Sequence, residues 1–191
     1  MLNSRIFREE NGKQLSGLMF PVIVHNYYYF LTQLVIYEDG MIDCWGLMDK
    51  TEFLQKLNSG WIRIDLPDNV DLYMGLSKIE VKSFTPEIDV NDFILEVDEA
   101  QLELAGMKSN RMIAIDLFKK YLLNDSEQNF SSLSKTFEKL PKHKKALFEY
   151  YEKDELYQLM INDFEKYTTD RRIGILNDYF EDEWNEIDFN K

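Results

Sequence analysis

Apolar and polar positions alternate along the first ninety residues and recur at helical spacing along the rest. After a polar lead-in through Gly12 and Gly17, the run Met19-Phe20-Pro21-Val22-Ile23-Val24 is short, apolar and β-branched, and it predicts a first strand ending at His25-Asn26. β-Formers dominate again from Tyr28 to Tyr37. Glu38-Asp39-Gly40 then supplies a turn with glycine where positive φ is easiest, and Met41 to Trp45 resumes the pattern, the clearest hairpin signal in the chain. Asp49-Lys50-Thr51-Glu52 has the form of a capping box, a carboxylate that accepts early backbone N–H groups answered by a glutamate three residues on. Phe53, Leu54 and Leu57 share the face that follows and Gly60 closes the turn, so a short helix is expected there. Trp61-Ile62-Arg63-Ile64, Val70 to Met74 and Ile79 to Phe84 alternate as strands, with Pro67-Asp68-Asn69 turning the chain after the first of them.

Beyond Pro86 the period changes. Asn91 to Leu104 mixes apolar and acidic residues and predicts a helix without a clean stripe. Ser109 or Asn110 caps a firmer helix carrying Met112, Ile113, Ile115, Leu117, Phe118, Tyr121 and Leu122, which Asn124-Asp125-Ser126 ends. Leu133, Phe137 and Leu140 repeat at helical spacing. Pro141 suits the first position of a following helix, continued by Ala146, Leu147, Tyr150 and Tyr151. Further helices carry Leu156, Leu159, Met160 and Phe164 and start again near Thr169 or Asp170. The expected fold class is α+β, as one domain over residues 1–191 with a strand-rich lobe over 1–90 and a helical lobe over 91–191. In it a small, mostly antiparallel sheet with one inserted helix is followed by a C-terminal helical layer packed on it.

Composition bears on partners. With 45% hydrophobic and 14% aromatic residues, burial at roughly 25 cal/mol per Å² can offset chain entropy. Against 22 basic residues stand 35 acidic ones, a net charge of −13. A surface of that sign repels nucleic-acid phosphates and anionic lipid headgroups, so neither nucleic acid nor membrane is an expected partner. It attracts a basic protein by long-range steering, which salt screens over about 10 Å. The uncharged stretch from Leu18 to Tyr37 is interrupted by Pro21, His25, Asn26, Thr32 and Gln33, and reads as two strands rather than a membrane span. A lone cysteine, Cys44, allows no intramolecular disulfide and no multi-cysteine metal site. Arg5, Arg8, Glu9 and Glu10 precede any apolar run, unlike a secretory signal, and a cytoplasmic location is expected.

No phosphate-cradling glycine loop, His-Glu-x-x-His helix or nucleophile elbow is present, and the chain is expected to be neither an enzyme nor a holder of metal or cofactor. Glu87 to Asp92 is acidic but lacks the glycine and glutamate of a calcium loop. Asp98 and Glu99 stand side by side, yet 35 carboxylates make chance pairs certain. Cys44 with His25 would make a nucleophile and base; with no neighbouring cation to lower its pKa, Cys44 reads instead as a small buried thiol and His25 as a strand-end cap. Tyr27, Tyr28, Tyr29, Phe30, Trp45 and Trp61 read as core fillers, with a ligand pocket near His25, Trp45 and Trp61 as the alternative. The C-terminal segment interleaves acids with Tyr179, Phe180, Trp184, Ile187 and Phe189. Asp178, Glu181, Asp182, Glu183, Trp184 and Glu186 are its expected partner-binding residues, because aromatic anchors supply contact energy and carboxylates supply steering. The competing reading docks those aromatics inward and leaves the acids in water. His143, among Lys142, Lys144 and Lys145, reads as a solvated helix residue.

Ile23-Val24-His25-Asn26 with Tyr29-Phe30, the run Val35 to Trp45, Phe53, and Ser59-Gly60-Trp61-Ile62 resemble an uncharacterised family of small bacterial domains. Tyr121-Leu122, Leu133, Phe137, Leu140-Pro141 and Lys142-His143 are similar to its second half, so the resemblance spans roughly residues 20 to 150 and leaves the acidic extension after Met160 outside. Small acidic bacterial proteins of this kind often look like immunity proteins that neutralise a toxin. The resemblance thus implies an immunity-type binding protein that occludes a basic toxin domain with its acidic surface. The alternative is a small-molecule-binding domain or small enzyme.

Overall fold

The computed structural model describes residues 6–142, 156, 159–160 and 166–184, with backbone only for 181–184. Two compact units divide it, one reaching Met107 and one beginning at Lys108.

The first unit is built on two long strands. β1 (Ile6–Glu10) turns into β2 (Lys13–Asn26) through Asn11 and Gly12, at φ of 51° and 77°, the two successive positive values a tight hairpin turn demands. This strand lies in what reads by sequence as a polar lead-in. β3 (Tyr28–Tyr37) then runs antiparallel to β2 from Asn26 opposite Tyr28 to Gly17 opposite Tyr37. The remaining strands share the outer edges of this pair. β2 carries β1 against residues 13–17 and β6 (Ile62–Arg63) against Ile23 and Val24. β3 carries β4 (Ile42–Asp43) against Val35 and Ile36, and β7 (Val70–Met74) in parallel against Tyr29 and Phe30. β5 (Leu47–Met48) pairs with β4, and β8 (Ser77–Val81) with β7, giving eight strands, mostly antiparallel as expected. Between the stations of β1 and β6, the outer edge of β2 holds Pro21. His25, at the same parity, sends its N–H outward to the Trp61 carbonyl at 2.9 Å. The proline therefore has no outward N–H to leave unpaired, the usual condition for proline in a sheet.

Alternation sends Phe20, Val22 and Val24 of β2 and Leu34 and Ile36 of β3 to one face, where they join Ile42, Cys44 and Met48. Two helices close that core: α1 (Lys50–Asn58) through Phe53 and Leu57, and α2 (Val90–Leu104) through Phe93, Val97 and Ala100. Asp49 caps α1, accepting from the Glu52 N–H at 2.8 Å, and Asp89 caps α2 from Asp92 at the same distance. Lys50 reaches from α1 to Asp98 of α2 at 2.7 Å. The helix that periodicity groups with the C-terminal half thus packs on the sheet of the first unit.

The second unit has its own core. Ser109 caps α3 (Asn110–Leu123) and Ser126 caps α4 (Glu127–Phe137), while α5 (Thr169–Trp184) is interrupted at Phe180, where φ is −136°. Phe118, Tyr121, Leu133, Leu156, Met160, Tyr167 and Leu176 are buried together. The Tyr121 hydroxyl accepts the Tyr167 N–H at 2.8 Å. Of the helix expected from Pro141 to Tyr151, Pro141 and Lys142 stand outside any helix and the rest lies outside the described residues. Among those described, no helix is long and apolar enough to cross a membrane.

Candidate functional site

The aromatics expected to fill the core line its margins instead, with Trp61 packed against the main cluster and Tyr29 against a smaller one. Phe20, Phe53 and Phe93 occupy the core, and none of Tyr27, Tyr28, Tyr29, Phe30, Trp45 and Trp61 is buried. Tyr28 and Phe30 share one side of β3, and the parallel register of β7 sets Tyr73 opposite Phe30. Tyr73 lies 5.3 Å from Tyr28 and 5.5 Å from Phe30 between ring centres; Trp45 lies 5.2 Å beyond Phe30, and Trp61 a further 6.0 Å, edge to face. Trp45 Nε1 donates to Thr32 Oγ1 at 3.1 Å, and the Lys56 ammonium sits 4.6 Å over the Trp61 ring. Five rings therefore form a continuous ridge along the first unit, with Tyr28 and Trp45 exposed and Phe30, Tyr73 and Trp61 half-buried.

Two exposed aromatics of this region sit in left-handed backbone: Tyr27 at φ 61° with 94% of its surface exposed, and Trp45 at φ 56° with 50% exposed. The other non-glycine positive φ values belong to Asn11 and Asn69, the residue type that tolerates them. A residue with a bulky side chain costs about 1–2 kcal/mol in this region, and strain of that kind persists where a site uses it. Tyr27→Asn should therefore raise the unfolding free energy by about 1 kcal/mol in urea denaturation. A loss of stability would show that the tyrosine ring holds the turn by contacts rather than straining it.

Of the three residues of the sequence-derived pocket, Trp45 and Trp61 meet. His25 stacks instead on its cross-strand partner Tyr29, with centres 4.5 Å apart and planes at 11°. Adjacent strand residues face opposite ways, so this stack lies across the sheet from Phe30 and the tryptophans. Cys44 is buried, and burial first, then the nearby Asp43 charge, pushes its thiol up to about 11. It stays protonated at neutral pH. Asp98 is engaged by Lys50 rather than paired with Glu99 as an acid and base. Among the described residues, no three His, Cys, Asp or Glu side chains are grouped to hold a metal ion. On α5, Asp178 is exposed, Tyr179 is half-buried and Phe180 is buried in the helical core, so these two aromatics dock inward. The side chains of Glu181, Asp182, Glu183 and Trp184, and all of Glu186 and His143, lie outside the described residues.

A second feature has no counterpart in the sequence reading. On the sheet face that His25 and Tyr29 share, a cavity of about 560 Å³ opens between β2, β3, β7, β8 and the connection running from β8 to α2. Ile23, Leu31, Leu72, Ile79 and Phe84 give it apolar walls, and Gln33, Arg63 and Glu87 are its polar members. β2 contributes the consecutive run Met19 to Ile23, and β3, β7, β8 and the connection to α2 add residues as far along as Ile88, so the cavity is assembled from segments distant in sequence.

The sheet, the two helices on it and both of these features lie within a stretch that has relatives. Residues 5–108 match the family described as "Domain of unknown function (DUF7638)", more than half of the chain, and the chain belongs to that family. The match ends where the first unit ends, short of the helical run included in the resemblance above. No curated protein and no solved structure matches the chain.

Proposed function

We propose that the protein is a binding module of immunity type, which occludes a basic toxin domain rather than transforming a substrate. The observation that carries this reading is the aromatic ridge of Tyr28, Phe30, Tyr73, Trp45 and Trp61 at the surface of a protein of net charge −13, with Trp45 held in strained backbone. Aromatic side chains are the commonest energetic anchors of protein interfaces, and carboxylates accelerate encounter with a basic partner. The acidic C-terminal segment, Asp178 with Glu181, Asp182, Glu183, Trp184 and Glu186, supplies steering charge in this reading.

The test is a calorimetric titration against basic toxin domains encoded beside this gene. A tight complex is expected, with an association rate that falls as salt rises. Trp45→Ala should weaken it by about 30-fold or more, the size of an interface anchor. Neutralising Asp182, Glu183 and Glu186 together should slow association. Binding untouched by the triple change would remove the tail from the interface, and binding untouched by Trp45→Ala would remove the ridge. The absence of any basic binding partner in the gene neighbourhood would end the immunity reading.

A further inference from the structure

We propose that the cavity beside β7 and β8 is a small-molecule site for a compound with an apolar body and a protonated amine head. The inference stands on residues separate from the aromatic ridge, so it does not depend on the partner reading. At about 560 Å³ the cavity falls within the roughly 300–1,000 Å³ of ligand sites. Its apolar walls are not closed over: Leu31, Ile79 and Phe84 line it and yet are 41%, 45% and 40% exposed. Apolar groups left wet inside a concave space gain roughly 25 cal/mol for each Å² that a fitting apolar body covers.

The polar members select the head group. Arg63 is charge-paired, its Nε and Nη2 donating to the two Asp65 carboxylate oxygens at 3.0 Å each. A ligand carboxylate or phosphate would compete with Asp65 for that charge. Among the described residues, Glu87 forms no ion pair and the exposed side chains of Glu87 and Gln33 have no hydrogen-bond partner. The unpaired charge among the cavity's lining residues is therefore the Glu87 carboxylate, and a protonated amine matches it.

Three ten-carbon probes that differ only at the head separate the terms: decylamine, decanol and decanoic acid, titrated by displacement of the neutral dye Nile red. Saturable binding at one site per chain is expected, with decylamine about tenfold tighter than decanol, the size of a charge-assisted hydrogen bond, and decanoic acid weakest. Glu87→Gln should bring decylamine down to the affinity of decanol and leave decanol unchanged. Because that substitution removes one carboxylate of 35, diffuse attraction of a cation to an acidic protein would survive it. Ile79→Trp should abolish binding of all three by filling the space. Leu31→Trp is the alternative filler should the first fail to fold, as judged by far-UV circular dichroism. Non-saturable uptake, an amine preference that persists in Glu87→Gln, or unchanged binding in a folded filled variant would each overturn the proposal.

Discussion

Phe53→Ala should destabilise the first unit by about 3–5 kcal/mol, the range for deleting a fully buried aromatic ring. Phe53 is wholly buried, and its ring meets Phe93 edge-on at 6.2 Å; Phe93 in turn meets Phe20 at 5.8 Å. These three rings come from α1, α2 and β2, so one contact chain fastens both helices to the sheet. α1 buries only Phe53 and Leu57, and a nine-residue helix is marginal without tertiary packing. Removing the ring deletes the larger of its two anchors and leaves a void between three elements that cannot all collapse into it. Urea unfolding followed by tryptophan fluorescence reads this unit well, since Trp45 and Trp61 both belong to it. Leu54→Ala, one residue along and only partly buried, is the control and should cost far less. A loss below about 1 kcal/mol for Phe53→Ala would mean that the surrounding side chains close the space and that α1 is held by something else.

Local chemistry made much of this fold legible. The Asp49 cap, the turn at Glu38-Asp39-Gly40, the strand over Tyr28 to Tyr37 and the Ser109 cap all stand where short-range rules put them, because each depends on a few neighbouring residues. β1 escaped detection since Ile6-Phe7-Arg8-Glu9-Glu10 is an edge strand with most of its side chains in water, and its composition resembles a loop. The Asn11-Gly12 pair was the available signal for it. α2 lacked a clean stripe for the opposite reason. Asp92, Phe93, Glu96, Val97, Glu99 and Ala100 are all buried on one side of the helix, but three of the six are acidic, so the buried face does not read as an apolar stripe.

The candidate sites were less legible, and the reason is tertiary. Trp45 and Trp61 were named as a pair by their chemistry, but which face of the sheet His25 takes follows from the register of β2 against β3. Strand aromatics usually face a core, which is why these are expected inside. Here the core positions were already taken by Phe20, Phe53 and Phe93, while the parallel strand β7 carried Tyr73 up to Tyr28 and Phe30 at the surface. The cavity collects side chains from Met19 to Phe93, a separation no local pattern spans.

In the second unit the largest polar effect is expected at Arg172. Arg172→Met, which keeps the length of the stem and removes the guanidinium, should destabilise that unit by about 2 kcal/mol. The side chain is buried on α5. Its Nη1 donates to the Leu122 carbonyl at 3.1 Å, and its Nη2 pairs with Asp125 at 3.1 Å. Leu122 is the next-to-last residue of α3, so its carbonyl is one of the final four that no intrahelical N–H can reach. A cation there also faces the negative end of the helix dipole. The substitution strands a buried acceptor and frees Asp125 at once. Against this, Arg172 Nε is itself buried without a partner, so its removal relieves one unsatisfied donor and keeps the expected loss from reaching the top of the range for charged hydrogen bonds. Arg172→Lys should recover only part of the loss, because one ammonium cannot hold two acceptors in the geometry of the fork. Urea denaturation followed by far-UV circular dichroism measures the three proteins. Equal stability of the methionine variant would show that the guanidinium fills space without tying α5 to the end of α3.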